Sequence, residues 1–576
     1  MTQRESNRRA QPLPYETGWI LLACLLLLLF LIGAAVYVSA LLNPNIRTLP
    51  TLNPVSVFGA LTDGTAPAVP AQVTLMIVLI VLILAAAAAA AVAALRGGRG
   101  RGRSRVDYKS RYMASERDLH RFFHDAALKD AQRLHSEQAG VGVTLAKHQA
   151  SNRRMYASWE WVQIWLMGPR AGKTSCVCIP QVLETSGPVL ATSNKRDIVD
   201  YTRGPRSELG VAWVHDVQGI IGEPPSWWWN PLSFVKDYET AEKLADVFQS
   251  SAESANAKQD AYFSAAAKET LSRLFLAAAL DNRPITDVFH WANNPDDRAD
   301  DPARILVEHG EQQHGKALGQ TQNLTEKQRD GVYGSMRPWL TPLGNHKTLA
   351  WITDPSMSRP HFDPRKFVQS TDTLYLVSRE GGGSARAITA ALTMATLTAA
   401  QEIASRSPGG RLKTPLTAVL DEAANVCRWR ELPDIYSFFG SMGIIISTFF
   451  QSWQQGVEAF GETGMGKLWS AANVRVVGSG LSEDKYLPFV SQSIGDYDAI
   501  KRSRSNARGG SSTSDSIQRE RIFDVADLTA LPQARAIMMA TQTPPALLTL
   551  EHYSERPYAD KVAASRDFYE SRAVAA

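Results

Sequence analysis

One stretch constrains this chain more than any other: an apolar run, VQIWLM from Val162 to Met167, leading into GPRAGKT from Gly168 to Thr174 and then SCVCIPQVL. The apolar run reads as a buried strand, the glycine-bounded segment as a turn, and the rest as a helix. Glycines let a backbone curl so that successive N–H groups face phosphate oxygens, and the following helix adds its positive end. The phosphate cradle is therefore read as Gly168, Pro169, Arg170, Ala171, Gly172, Lys173, Thr174 and Ser175. Lys173 would neutralise the terminal phosphates, and the Thr174 hydroxyl would complete a Mg²⁺ shell. The loop is one residue short of the usual spacing, because Met167 stands where the first glycine is expected.

A second half of the site is expected downstream. Leu416 to Glu422, LTAVLDE, is an apolar strand ending in two acids. In such a pair Asp421 holds the Mg²⁺ shell, and Glu422 orients the attacking water. The two acids alone also suit a helix start; a phosphate loop in the same sheet favours the catalytic reading. The next strand, GIIISTFF, ends at Gln451, at the strand edge where open α/β sheets bind ligands. Gln451 is read as a sensor of the terminal phosphate, or alternatively as a helix-start residue bonded to backbone.

Two uncharged runs precede all this. Trp19–Leu42 is long enough, at about 1.5 Å per residue, to cross a hydrocarbon core of about 30 Å, and a second run covers about 71–95. Arg4, Arg8 and Arg9 precede the first run, and Arg96, Arg99, Arg101, Arg103 and Arg105 follow the second. The intervening loop holds only Arg47 and Asp63, so the positive-inside rule places both termini in the cytoplasm. Residues 1–105 are thus expected to be a membrane anchor with two helices and a basic linker. The formal charge of the 576 residues is only +4, so any nucleic-acid contact must come from local patches. Four cysteines are too few for a disulfide framework, and Cys176 and Cys178 read as small buried residues.

Beyond the anchor, 106–160 reads as mixed and mostly helical. Strand-like runs then alternate with helical ones: GPVLATS, GVAWVHD, DTLYLVS, VRVVGSG and ARAIMMAT join those already named. That alternation argues for a parallel α/β sheet. From about 236 to 353, Ala- and Leu-rich stretches such as DAYFSAAAKETLSRLFLAAAL carry almost no strand signal, so an all-helical insertion is expected there. The Ser- and Gly-rich 501–521, with Lys501, Arg502, Arg504 and Arg508, reads as a loop that either meets phosphates or is simply solvated. Gly381, Gly382 and Gly383 read as a mobile loop. Trp227, Trp228 and Trp229 read as packing against the insertion, and 551–576 as a short tail.

With these residues in place, the chain resembles the conjugative coupling ATPases of type IV secretion systems, the TraG/TraD-like group related to FtsK and HerA motors. GPRAGKTSCVCIPQVL with Pro180 inside its helix carries the resemblance. So do TSNKRD at 192–197, WNPLS at 229–233, LDEAANV, IIISTFFQSWQQ and RERIFDVADLTALPQARAIMMA, in that order. The resemblance implies a RecA-like ATPase domain formed by 106–235 and 354–550, interrupted by the helical insertion at 236–353. It implies ATP and Mg²⁺ as cofactors, with Lys173, Glu422 and Gln451 as catalytic residues. It further implies a homo-hexamer at the bacterial inner membrane that recruits a relaxase on single-stranded DNA to a secretion channel, with its ATPase domain in the cytoplasm. Relatives often carry an arginine just before the glutamine strand; here FFGSMG occupies 438–443, leaving Arg428, Arg430 and Arg475 as candidates for a finger acting in trans. Two other readings remain: a double-stranded DNA translocase of the FtsK type, and a receptor ATPase that exports proteins only.

Overall fold

The computed structural model describes residues 104–576 except 253–260, 298, 380–382, 427–428, 508–509 and 576. Both apolar runs of the expected anchor, Arg428, and Gly381 and Gly382 lie outside the described residues. Among those described, no helix is long and apolar enough to cross a membrane. Ser104–Ala576 forms one compact unit.

Its centre is an eleven-stranded sheet. In chain order the strands are β1 (Val143–His148), β2 (Arg154–Ala157), β3 (Gln163–Leu166), β4 (Val189–Ser193), β5 (Ala212–His215), β6 (Thr373–Val377), β7 (Leu416–Leu420), β8 (Ile444–Phe450) and β9 (Val474–Gly478). A separate pair, β10 (Asp496–Ala507) and β11 (Gly510–Arg521), precedes β12 (Arg535–Ala540) and β13 (Ala546–Thr549). Across the large sheet the order is β2-β1-β13-β12-β9-β3-β8-β7-β4-β6-β5. From β9 to β5 every neighbour is parallel, and from β9 to β2 every neighbour is antiparallel. The parallel strands are apolar on both faces because helices cover both: Ile444, Ile445 and Ile446 are all fully buried. β3, which leads into the phosphate loop, lies between β8 and β9, at the point where chain connections diverge to opposite sides.

Between β5 and β6 the described elements from 236 to 353 are all helical. The Ala261–Leu280 helix is the pillar of this region. In its second half Leu274, Phe275, Leu276, Ala277 and Ala278 are buried in succession, so that half is apolar all round, while Glu269 in the first half stays exposed. Asp301 and Asn345 cap two of the shorter helices by accepting from Ala303 N and Lys347 N at 3.0 and 2.9 Å. The tryptophans seam this region to the sheet edge, since Trp227 and Trp229 are buried and Trp229 N donates to Trp351 O at 2.9 Å. Asn230 caps the turn that follows them, accepting from Leu232 N.

Three segments differ from the sequence reading. Residues 106–160 contain β1 and β2, which extend the sheet's antiparallel side; β1 is short and buried at nearly every residue, and β2 spans only four residues. Arg508 lies outside the described residues, and residues 501–507 and 510–521 belong to a two-stranded antiparallel ribbon of twelve residues per strand, paired from Asp496↔Arg521 to Ala507↔Gly510. Its Ser-rich composition satisfies a ribbon because cross-strand backbone bonds, not apolar side chains, hold it. Residues 559–575, read as tail, form a helix (Ala559–Ala575) docked on the helix Asp197–Ser207. There Ser565 Oγ donates to Asp200 O at 2.6 Å, and Gly204 N donates to Ser565 Oγ at 3.0 Å.

Candidate nucleotide site

The phosphate loop is shaped by what lies beneath it. Met167, in place of the usual first glycine, is fully buried, and its N–H donates to Phe450 O at 3.0 Å. Gly168 N donates to Ser479 O at 2.9 Å. A Cβ on Gly168 would sit 2.1 Å from Gly480 O, and one on Gly478 would sit 2.6 Å from Met167 Cγ. The shortened loop is thus seated on the Gly478-Ser479-Gly480 turn after β9, where glycines let two backbones approach. Arg170 (φ 61°) and Gly172 (φ 88°) supply the left-handed residues that turn the chain into the helix. That helix opens with a π-type turn, Thr174–Cys178, in which Ile179 N reaches back to Thr174 O. Pro180 accounts for the widening. It has no N–H to give Cys176, and its ring would crowd that carbonyl in a regular α-turn. Cys176 and Cys178 are buried free thiols in this turn.

The acids come from β7. Asp421 and Glu422 follow its last residue, and Glu422 adopts φ 59°, an uncommon backbone state for a side-chain-bearing residue. Thr192 on neighbouring β4 fixes the bend by donating its hydroxyl to Asp421 O at 2.9 Å. Lys173 Nζ lies 2.5 Å from Glu422 Oε1 and 2.9 Å from Asp421 Oδ1. Thr174 Oγ1 donates to Asp421 Oδ2 at 3.2 Å. Gln451 Nε2 donates to Glu422 Oε1 at 2.6 Å, and Gln455 Nε2 reaches Glu422 Oε2 at 3.3 Å. Burial works against the charge on Lys173, but the Asp421 and Glu422 carboxylates outweigh it and hold the ammonium above the ordinary lysine range. Burial pushes the Asp421 carboxyl up, with Lys173 opposing.

The structure therefore brings together the residues expected to hold nucleotide and Mg²⁺: the loop 168–175, Asp421, Glu422 and Gln451 line one cavity of about 450 Å³. Asn194 and Lys195, at the end of β4, line it too. The donor set fits a nucleoside triphosphate with Mg²⁺. A hydroxyl and a carboxylate, both hard oxygen ligands, sit side by side, and the Lys173 ammonium and a helix N-terminus face the same space. Of the arginine candidates, Arg475 lies on β9 with its guanidinium 5.8 Å from the Trp469 ring centroid, and Arg430 is exposed. Sequence reading missed Gln455, His552 and Tyr553. For Gln455 a signal existed: it sits four residues after Gln451, one helical turn on. His552 and Tyr553 carried no motif.

The fold is a mixed α/β one built on a largely parallel sheet, with the layout of a P-loop site where β3 ends. Residues 415–533 match the family described as "TraM recognition site of TraD and TraG". Among solved structures the chain is similar to the plasmid coupling protein TrwB in complex with ADP and Mg²⁺ (TM-score 0.53, 17% identity, 74% of this chain and 92% of that one). It is similar, too, to TrwB with a non-hydrolysable ATP analogue (TM-score 0.51, 17% identity, 68% and 85%) and to the unbound conjugative coupling protein TrwBdeltaN70 (TM-score 0.51, 15% identity, 73% and 91%). No curated protein sequence matches the chain. The matched segment and the shared fold agree with the TraG/TraD-like resemblance carried by the motifs.

Proposed function

We propose that this protein is an ATP-driven coupling protein of conjugative DNA transfer. It would recruit a relaxase bound to single-stranded DNA and deliver it to a type IV secretion channel. The observation that carries the reading is the convergence of Lys173, Thr174, Asp421, Glu422 and Gln451 in one cavity of a coupling-protein fold. The match of 415–533 to the TraM recognition family supports capture of relaxosome components by the same body. The two uncharged N-terminal runs support an inner-membrane anchor with the motor on the cytoplasmic side, and assembly as a hexamer follows the type.

Bound MgATP would supply the transferable phosphoryl group and its neutralising cation. The chain's own residues do the rest. Thr174 Oγ1 and the Asp421 carboxylate would hold the cation. Lys173 would pair with the phosphate oxygens, leaving Glu422 to orient a water. Gln451 keeps Glu422 aimed, and being one residue before Ser452, the cap of the Trp453–Ala471 helix, it links the state of the site to that helix. The proposal is tested by mating. Donors carrying Glu422→Gln should lose plasmid transfer while keeping the protein at wild-type level in the membrane. Wild-type transfer frequency in that donor, or in one lacking the gene, would overturn it.

A further inference from the structure

We propose that Tyr553 and His552 form the platform on which the nucleotide's base stacks, so that the segment following β13 completes the site. This rests on the reading of the cavity as a nucleotide site. The cavity lined by the phosphate loop is also lined by Tyr201, His552 and Tyr553. These rings are partly exposed into it and do not belong to the sealed core. His552 and Tyr553 have ring centroids 4.3 Å apart, and Tyr201 meets Tyr553 edge-on at 5.5 Å. A triphosphate seated on residues 168–175 carries a flat heterocycle beyond its sugar, and an aromatic face is what such a ring prefers.

The chain pins these rings from both sides. Before them, Glu551 is 3% exposed and pairs with Lys147 at 2.5 Å, Arg154 at 2.9 Å and Arg556 at 2.8 Å. After them, Arg556 also pairs with Glu184 at 2.9 Å, and Tyr558 Oη donates to the same carboxylate at 2.8 Å. Glu184 ends the helix that the phosphate loop begins. Buried ion pairs are a poor source of net stability, because desolvation offsets attraction. Their effect here is positional: 551–558 are tied to the end of the phosphate-loop helix, with the two rings held between the ties. The Ala559–Ala575 helix, docked on Asp197–Ser207, fixes Tyr201 against Tyr553 from the other side. Arg203 adds a contact, its guanidinium 4.8 Å from the Tyr569 ring centroid.

Stacking depends little on which base is present, since every base has a π face. ATP and GTP should therefore bind with similar affinity. The test is calorimetric titration of the purified full chain with MgATP, MgGTP and inorganic tripolyphosphate. Tyr553→Ala should weaken ATP and GTP by roughly tenfold, leave tripolyphosphate unchanged, and recover in Tyr553→Phe. Wild-type ATP affinity in Tyr553→Ala, or an equal loss for tripolyphosphate, would overturn the platform. If Lys173→Ala binds both ATP and tripolyphosphate as the wild type does, the nucleotide reading itself fails, and the platform with it.

Discussion

Gln451 donates its side-chain amide to Glu422 at 2.6 Å, on the same carboxylate oxygen that faces Lys173. The acid is thus held between the end of β8 and the start of the phosphate-loop helix. Gln455 takes its second oxygen and also accepts from Gln451 N at 2.9 Å. Glu483 accepts from the first two N–H groups of the following helix, at Trp453 and Gln454. One polar chain therefore runs from the acid to the start of the helical segment Trp453–Ala471, which breaks at Gly461 (φ 73°).

Gln451→Ala should leave ATP affinity near wild type and lower kcat by roughly a hundredfold, the scale expected when a reacting group loses its aim by an ångström. Pre-steady-state ATP binding and steady-state phosphate release on the same sample separate the two effects. A variant that loses affinity and turnover in proportion would assign Gln451 to ground-state binding instead.

Glu422→Gln keeps the size of the side chain, removes its charge and turns one of its two accepting oxygens into a donor. Turnover should fall by roughly 10²- to 10⁴-fold, the range for loss of a general base, while ATP remains bound. Nitrocellulose retention of labelled ATP after mixing checks the second part.

The shortened phosphate loop makes its own prediction. Gly168→Ala places a methyl 2.1 Å from the Gly480 carbonyl, so the loop or the turn beneath it must move. Affinity for MgATP should fall at least as far as in the Tyr553→Ala protein, and tripolyphosphate affinity should fall with it. An unaffected Gly168→Ala would mean that the Gly478-Ser479-Gly480 turn is not the seat of the loop.

Much of this was legible in the sequence, and the reasons differ by element. β3, β4, β6, β7 and β8 announce themselves because parallel strands buried on both faces are continuous apolar runs. Lys173, Asp421, Glu422 and Gln451 were legible because each follows such a run, where the sheet gathers strand ends. β1 and β2 were not, because short antiparallel strands near a sheet edge mix polar and apolar residues. The β10–β11 ribbon was not, because its stability lies in backbone pairing that composition does not report. Tyr553 was least legible of all. Its place at the cavity depends on Glu551, Arg556 and Glu184, a network that joins residues more than three hundred and sixty positions apart.

His215 ends β5 among Trp227 and Trp351 and is fully buried, and burial pushes its imidazole down to about 3 from an ordinary 6.5. Its Nδ1 has no hydrogen-bond partner. The unfolded chain takes up this proton below pH 6.5 while the folded chain refuses it. Stability should therefore decline as pH falls from 6.5 towards 3, by about 1.4 kcal/mol per pH unit from this group. Urea unfolding followed by tryptophan fluorescence at pH 7 and pH 5 should show that decline, and His215→Phe should reduce it. An equal decline in both proteins would place the acid sensitivity elsewhere.

The central claim is that one cavity, built by Lys173 and Thr174 on one side and Asp421 and Glu422 on the other, hydrolyses ATP. Steady-state phosphate release by purified full-length protein, wild type against Lys173→Ala, tests it most directly. The account predicts that the substituted protein falls to the no-enzyme background, since the ammonium that draws the phosphates into the site is gone. Hydrolysis by Lys173→Ala at the wild-type rate would contradict it.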